Sequence, residues 1–246
     1  MKQSGLGDAL LVAGYDLSGD IGSLGNVGGG PAVQDVTGID KAAMERIGLA
    51  RDGRIEFAGF FNPASGRAHE RLSALPVGDQ VLTYCRGTGF GSPAACLLGK
   101  QINYDPTRGA DGSLTVAVQA QGNGFGLEWG RLATPGLRTD AAPGNGASLD
   151  GGAASVFGLQ AYLHVLAVTG TSVTVKLQQS ADDGVGDPWA DVAGGAFTAA
   201  SAVGAQRIET ARGLTVERYL RVVTTGAFTA ATFAVVVVRN QVKVDF

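Results

Sequence analysis

Two histidines, two cysteines and a scatter of carboxylates are the chain's main groups for catalysis or metal binding. His69 falls on the outer side of a short predicted helix, and His164 falls in a predicted strand of the other half. A metal site needs further ligands at helix or strand spacing, so both read as structural histidines. Cys85 and Cys96 have no histidine or cationic helix end near them in sequence and read as core thiols. Two thiols do not make a disulfide framework, which suits a soluble chain made in a reducing cytosol. The run Asp182-Asp183-Gly184-Val185-Gly186-Asp187 has the carboxylates of a calcium loop but misses the helix-loop-helix spacing. A solvated hairpin tip with Trp189 behind it is the expectation. Asp105 and Asp111 bracket a turn and form no acid/base pair. Gly87-Thr88-Gly89-Phe90-Gly91 is half of a dinucleotide fingerprint with no helix after it, and Gly99-Lys100 lacks the upstream glycine of a phosphate loop. Tyr104, Phe125 and Trp129 could stack a ligand, although at strand spacing they read as core. There is no G-x-S-x-G elbow. The expectation is a non-enzyme with no catalytic, cofactor-binding or metal residues and no cofactor.

The elements that would position these residues follow from composition and period. The chain has 246 residues, 39 of them glycine, with 17% charged and 45% hydrophobic residues. The glycines keep no period of three, which excludes collagen, and the apolar content excludes a disordered chain. The longest apolar run, Phe233 to Val238, is six residues, far short of the ~20 of a spanning helix. Asp8 interrupts the apolar stretch after Lys2, so no signal peptide is visible. Residues 1–150 hold 12 basic and 15 acidic side chains, a net of −3, and residues 151–246 hold seven of each. That balance leaves no basic footprint for nucleic acid.

Short strands with glycine turns give a mainly β fold. Residues 1–34 carry nine glycines and read as a flexible arm with one strand near Ala9–Ala13. Asp40 caps a predicted helix through Gly48, with Ala43, Met44 and Ile47 apolar; Ser65 caps another with Ala68, Leu72 and Leu75 on one face, stopped before Pro76. Strands are predicted at Arg54–Phe61, Gln80–Arg86, Ala95–Tyr104, Leu114–Gln121 and Leu127–Leu132. Pro135 to Gly152 lacks any period and reads as a linker, with the domain boundary near 150. In the second half, Gln160–Val168 and the alternating Thr171–Gln179 read as two strands around a Thr169-Gly170 turn. Gln206–Thr210, Arg218–Thr225 and Ala231–Val238 follow, the last two separated at Gly226. Together they predict a C-terminal β-sandwich. The hexapeptide Gly195–Ala200 recurs unchanged at Gly226–Ala231.

Several stretches carry a resemblance. Val36-Thr-Gly-Ile-Asp-Lys-Ala-Ala-Met-Glu-Arg-Ile47, Arg51-Asp-Gly-Arg-Ile55, Phe61-Asn-Pro63, Lys100-Gln-Ile-Asn-Tyr-Asp-Pro106, Asp111-Gly-Ser-Leu-Thr115 and Gly126-Leu-Glu-Trp-Gly130 resemble major tail proteins, the tail tube subunits of bacteriophages with long, non-contractile tails. The resemblance covers roughly residues 10–140. The segments Val173 to Asp183 and Tyr219 to Val223 look like the extra domain such proteins append. It implies a β-sandwich or barrel at 35–140 with a helix, a linker at 141–152, and an exterior sandwich at 153–246; the linker itself predicts that residues 151–246 fold alone. It also implies stacked, hexameric rings whose sheets join edge to edge, with the arm at 1–34 ordering on stacking. Tail-terminator, tape-measure and tail-tip proteins are the implied partners. Viral DNA would pass without specific contacts, no membrane is involved, and the location is the virion after synthesis in the host bacterial cytoplasm. The family carries no catalytic residues.

Two other functions compete. One is a carbohydrate- or host-surface-binding module, whose aromatics on a sandwich face would come from Tyr162, Trp189, Tyr219 and the phenylalanines. The other is a glycan hydrolase, which needs two facing carboxylates that the sequence does not pair. For a conduit, the lumen must not grip phosphates. Lumen-facing positions are therefore expected from strands of residues 1–140 and net acidic or neutral.

Overall fold

The computed structural model describes residues 4–244. It is mainly β, as the composition demands. The strands run β1 (Ala9–Val12), β2 (Tyr15–Asp16), β3 (Ile21–Asp35), β4 (Arg46–Phe60), β5 (Gln80–Cys85), β6 (Pro93–Gln101), β7 (Asp105–Arg108), β8 (Leu114–Gly122), β9 (Glu128–Leu132), β10 (Arg138–Asp140), β11 (Asn145–Asp150), β12 (Leu159–Ser180), β13 (Ala190–Ala196), β14 (Gly204–Glu209) and β15 (Tyr219–Arg239), with one α-helix, α1 (Ala68–Leu72), between β4 and β5. Hydrogen bonding links them all into one branched sheet whose main path is β13-β12-β15-β9-β6-β5-β1-β2.

The second half hangs on one antiparallel pair. β12 and β15 pair from Leu159↔Arg239 to Ser180↔Tyr219, with register shifts after Val165 and on both sides of Gly170. The expected turns at Thr169-Gly170 and Gly226 are instead bends inside these two strands. Gly170 has φ +131° and Gly226 φ +115°, conformations that only glycine adopts cheaply. A Cβ at Gly170 would lie 2.5 Å from Phe228 Cα, and one at Gly226 2.5 Å from the Ser172 oxygen. The glycines let a strand kink with its partner pressed against it, where sequence punctuation alone suggests reversal. The repeated hexapeptide flanks the bend in β12: Val173 bridges Ala200 on one side and faces Gly226 on the other.

Strand alternation then divides the core. Leu159, Ala161, Leu163 and Val165 of β12, with Phe233, Val235 and Val237 of β15, fill the sandwich. The opposite faces, Tyr162 with Val236 and Val238, meet Val81, Cys85, Cys96 and Leu132 of the first half. A strand buried on both faces reads as continuous apolar sequence, which explains Phe233–Val238. A separate core under the first half holds Leu10, Leu17, Ile55, Phe57, Leu72, Leu97, Val116 and Val118.

Four expectations are corrected. The flexible arm is strand in its second half: β3 pairs with β4 from Ile21↔Gly59 to Asp35↔Arg46. The helix at Asp40–Gly48 does not form, because pairing with β3 draws Arg46 onward into β4. The linker contains β10 and β11, both paired with β15. Aperiodic sequence there reflects short strands whose neighbours come from about 80 residues away. Ser65 is not the cap of α1. Arg67 stands at that position, the Ala68 N–H donates to Asp20 Oδ2 at 3.1 Å, and Leu75 is exposed with φ +44°.

Candidate assembly surface

β3 and β4 form a hairpin that outruns the body of the protein. Each strand has 15 residues, a reach of roughly 50 Å at ~3.3 Å per residue. From Ile55 to Gly59, β4 buries alternate residues against the core, and its register with β8 runs from Arg54↔Gln121 to Phe60↔Thr115. Beyond, residues 31–51 are exposed throughout. That stretch carries Val33, Val36, Ile39, Met44, Ile47 and Leu49, all large, apolar and uncovered. Monomeric proteins seldom expose so many apolar side chains together. The outer edge of β3 pairs with nothing among the described residues. Pro31 sits at a register shift on that edge strand, a place where a sheet tolerates proline. Sequence reading placed Met44 and Ile47 on a helix face. The usable signal was the two-residue spacing of Ile47 and Leu49 beside Arg46, Gly48 and Ala50.

A second surface is the outer face of β4 and β8. Arg54, Glu56, Ala58 and Phe60 alternate with the buried Ile55, Phe57 and Gly59, and they pair with Gln121, Gln119, Ala117 and Thr115. Arg54 and Glu56 form an ion pair at 3.7 Å. What remains is amides, alanine and one phenylalanine, a neutral wall.

The residues singled out from sequence are dispersed. His69 Nδ1 is 2.8 Å from the Tyr104 hydroxyl and its ring packs on Phe61. His164 lies wholly buried 81 residues away from its partner Thr83, whose Oγ1 is 2.9 Å from Nε2. The Gly14 N–H donates to His164 Nδ1 at 3.2 Å, which places the ring proton on Nε2, donating to Thr83. Burial pushes the His164 pKa down to about 3. Burial likewise pushes the Cys85 thiol up to about 12 and the Cys96 thiol well above its usual range, which disfavours the thiolate at both. Asp182 accepts backbone N–H bonds from Val185, Gly186 and Asp187, and these hold its carboxyl below the usual range. That loop satisfies its own carboxylate as an Asx-type turn. Asp105 lies in β7 and bonds Asn103, whereas Asp111 bonds Ser113. Gly99 and Lys100 lie within β6. Gly87 and Gly91 have positive φ in the β5–β6 loop.

Tyr104, Phe125 and Trp129 do not form a set. Tyr104 belongs to the His69 contact. Phe125 lies beneath the Arg207 guanidinium, 3.7 Å from its ring centre, and Trp129 is 52% exposed. Of the aromatics expected on a sandwich face, Tyr162 is buried and Trp189 is covered by Arg221 at 4.4 Å. Sequence reading also missed a buried polar seam. Arg207 of β14 pairs with Glu128 of β9 at 3.1 Å, their side chains 5% and 6% exposed, and the Tyr162 hydroxyl donates to Glu128. No helix among the described residues is long and apolar enough to cross a membrane.

No family model and no curated protein matches the chain. Among solved structures it is similar to a chain from the virion of a native gene transfer agent particle, at 17% identity and TM-score 0.41, over 52% of this chain and 98% of that one. A chain from the tail of an empty gene transfer agent particle gives 17% identity and TM-score 0.39 over 51% and 97%. The SPP1 Dit protein, described as a hub of the adsorption apparatus, gives 11% and 0.34 over 94% and 98%. At TM-scores below 0.5, these likenesses fix neither the fold nor the function of this chain.

Proposed function

We propose that the chain is a structural subunit of a phage tail tube, built as stacked, hexameric rings that conduct viral DNA. The observation that carries this reading is the β3–β4 hairpin, with six uncovered apolar side chains and an unpaired edge. Such an edge templates pairing with another chain. Burying each of those side chains in a neighbouring copy is worth about 1.5–3 kcal/mol. Two of the stretches that resemble tail tube subunits, Val36 to Ile47 and Arg51 to Ile55, lie on this hairpin. The outer face of β4 and β8 is the proposed lumen wall. Its amides and single internal ion pair offer phosphates no unpaired cation, so DNA slides. The chain is then a virion component without catalytic duty, and the β12–β15 sandwich stands on the tube exterior.

Negative-stain microscopy and sedimentation of the purified protein at rising concentration test the reading. Rings or tubes are the expected result, and their loss when residues 36–45 are replaced by an Asn-Gly turn ties them to the hairpin. A monomer at every concentration, with no tubes in particles that contain the protein, overturns it.

A further inference from the structure

A cleft of about 300 Å³ opens where the two halves meet. Its floor is one face of the sheet β6-β9-β15. Alternation along β9 buries Glu128 and Leu132 and turns Trp129 and Arg131 outward. Arg131 pairs with Val237 of β15, and Arg239 lies two residues on. Leu149 of β11 and Leu220 of β15 form the far wall. The combination is a half-exposed indole, an apolar wall and two guanidiniums.

The guanidiniums of this cleft make no direct ion pair, although the Asp150 carboxylate lies near both. Arg131 is held by backbone carbonyls, donating from Nε to Gly91 at 3.2 Å and from Nη1 to Asp150 at 2.9 Å. Its Nη2 has no partner among the described residues. Arg239 donates from Nη2 to the carbonyls of Ala153 and Val216, while its buried Nε and Nη1 bond nothing. The adjacent Asp150 carboxylate is engaged by Arg218 at 2.7 and 2.8 Å. Neither cleft arginine has an ion pair among the described residues, and no carboxylate lines the cavity.

We propose that this cleft binds an anionic saccharide. A sugar ring lies on the indole face of Trp129, where an apolar C–H surface gains dispersion contact. The carboxylate or phosphate of the sugar accepts from Arg131, with Arg239 adding positive charge from below. The apolar wall excludes water and orients the ring, as a few placed polar groups in a mostly apolar pocket do. A neutral sugar would bring the two guanidiniums no counter-charge inside the cleft. The site is independent of tube assembly as proposed above.

The chain has only two tryptophans, so Trp189→Phe leaves Trp129 as the sole reporter in the full-length protein. Tri-galacturonate and glucose 6-phosphate are titrated while indole emission is followed, with maltotriose as the neutral probe. A saturable change is expected with at least one anionic probe, weakened tenfold or more for maltotriose and in Arg131→Gln, and falling with added salt. Calorimetry on Trp129→Ala, with its fold checked by circular dichroism, should show the same loss. No saturable response to either anionic probe at millimolar concentration overturns the proposal. So does an equal response to maltotriose, or an Arg131→Gln protein that binds as wild type does.

Discussion

The molecule contains two long antiparallel pairs, β3–β4 and β12–β15, built to opposite ends. In β12–β15 both faces are buried along much of the length, one in the sandwich and one against the first half. Valine, leucine and phenylalanine at period two spend most of that pair's apolar surface inside the subunit. In β3–β4 only the root is buried, and the outer part combines glycine with apolar side chains in solvent. Strand pairing is the same in both. Coverage differs, and with it the thermodynamic role: one pair stabilises the subunit, and the other is completed by something else.

Breaking the buried pair should have the largest effect. Phe233→Ala removes a fully buried ring from the sandwich core and should cost about 3–5 kcal/mol. At ~2–4 °C per kcal/mol for a chain of this size, Tm should fall by roughly 10 °C in a thermal melt. A drop of only a degree or two would show that the sandwich core does not carry the fold. The seam between the halves comes next. Glu128→Ala strips Arg207 of its buried partner, a loss of about 3 kcal/mol, softened because Glu209 still holds Arg207 at 2.8 Å. For the same reason residues 151–246 alone should give no cooperative unfolding transition. That fragment lacks β10 and β11 and uncovers Tyr162, His164, Val236 and Val238. A sharp transition from it would restore the boundary near 150.

His164 sharpens the comparison by pH. Its folded pKa is about 3, against ~6.5 for an unfolded chain. Below pH 6.5 the unfolded chain takes up a proton that the folded chain refuses. The stabilisation is therefore complete above about pH 6.5 and is lost as pH falls toward 3, by at most ~1.4 kcal/mol per unit. Urea midpoints at pH 7, 6 and 5 should decline for wild type. His164→Gln, which keeps one donor and one acceptor for Thr83 and Gly14, should flatten the decline at a constant cost. Identical slopes for both proteins would mean that the ring is not held neutral.

Much of the buried pair was legible in sequence, because alternation and apolar runs record burial directly. Val173, Val175 and Leu177 announce a strand with one covered face. Gly170 and Gly226 misled because a positive-φ glycine serves a bend as well as a turn, and the difference lies in a partner strand about 55 residues away. The Glu128–Arg207 pair and the His164–Thr83 contact bridge 79 and 81 residues, beyond any local pattern. The hairpin was hidden for another reason. Ala43, Met44 and Ile47 fit helical spacing as well as they fit anything local, and only pairing with β3 decides between the two. The cleft at Trp129 needed both halves in place before its residues could be seen to share a wall.

The smallest effect on the subunit should come from the open pair, and it separates the two roles most cleanly. Ile39→Asp with Ile47→Asp changes one side chain wholly in solvent and one half in solvent, so little burial is lost and the subunit's unfolding free energy should move by less than ~0.5 kcal/mol. The same changes put two carboxylates where an assembly interface must exclude water, and charge desolvation there is costly. Sedimentation should thus show a subunit as stable as wild type that no longer forms rings or tubes, while Phe233→Ala lowers stability yet assembles below its melting temperature. If the double variant unfolds as readily as Phe233→Ala, the hairpin belongs to the core of the subunit. If it assembles as wild type does, the apolar arm is not the surface that joins one copy to the next.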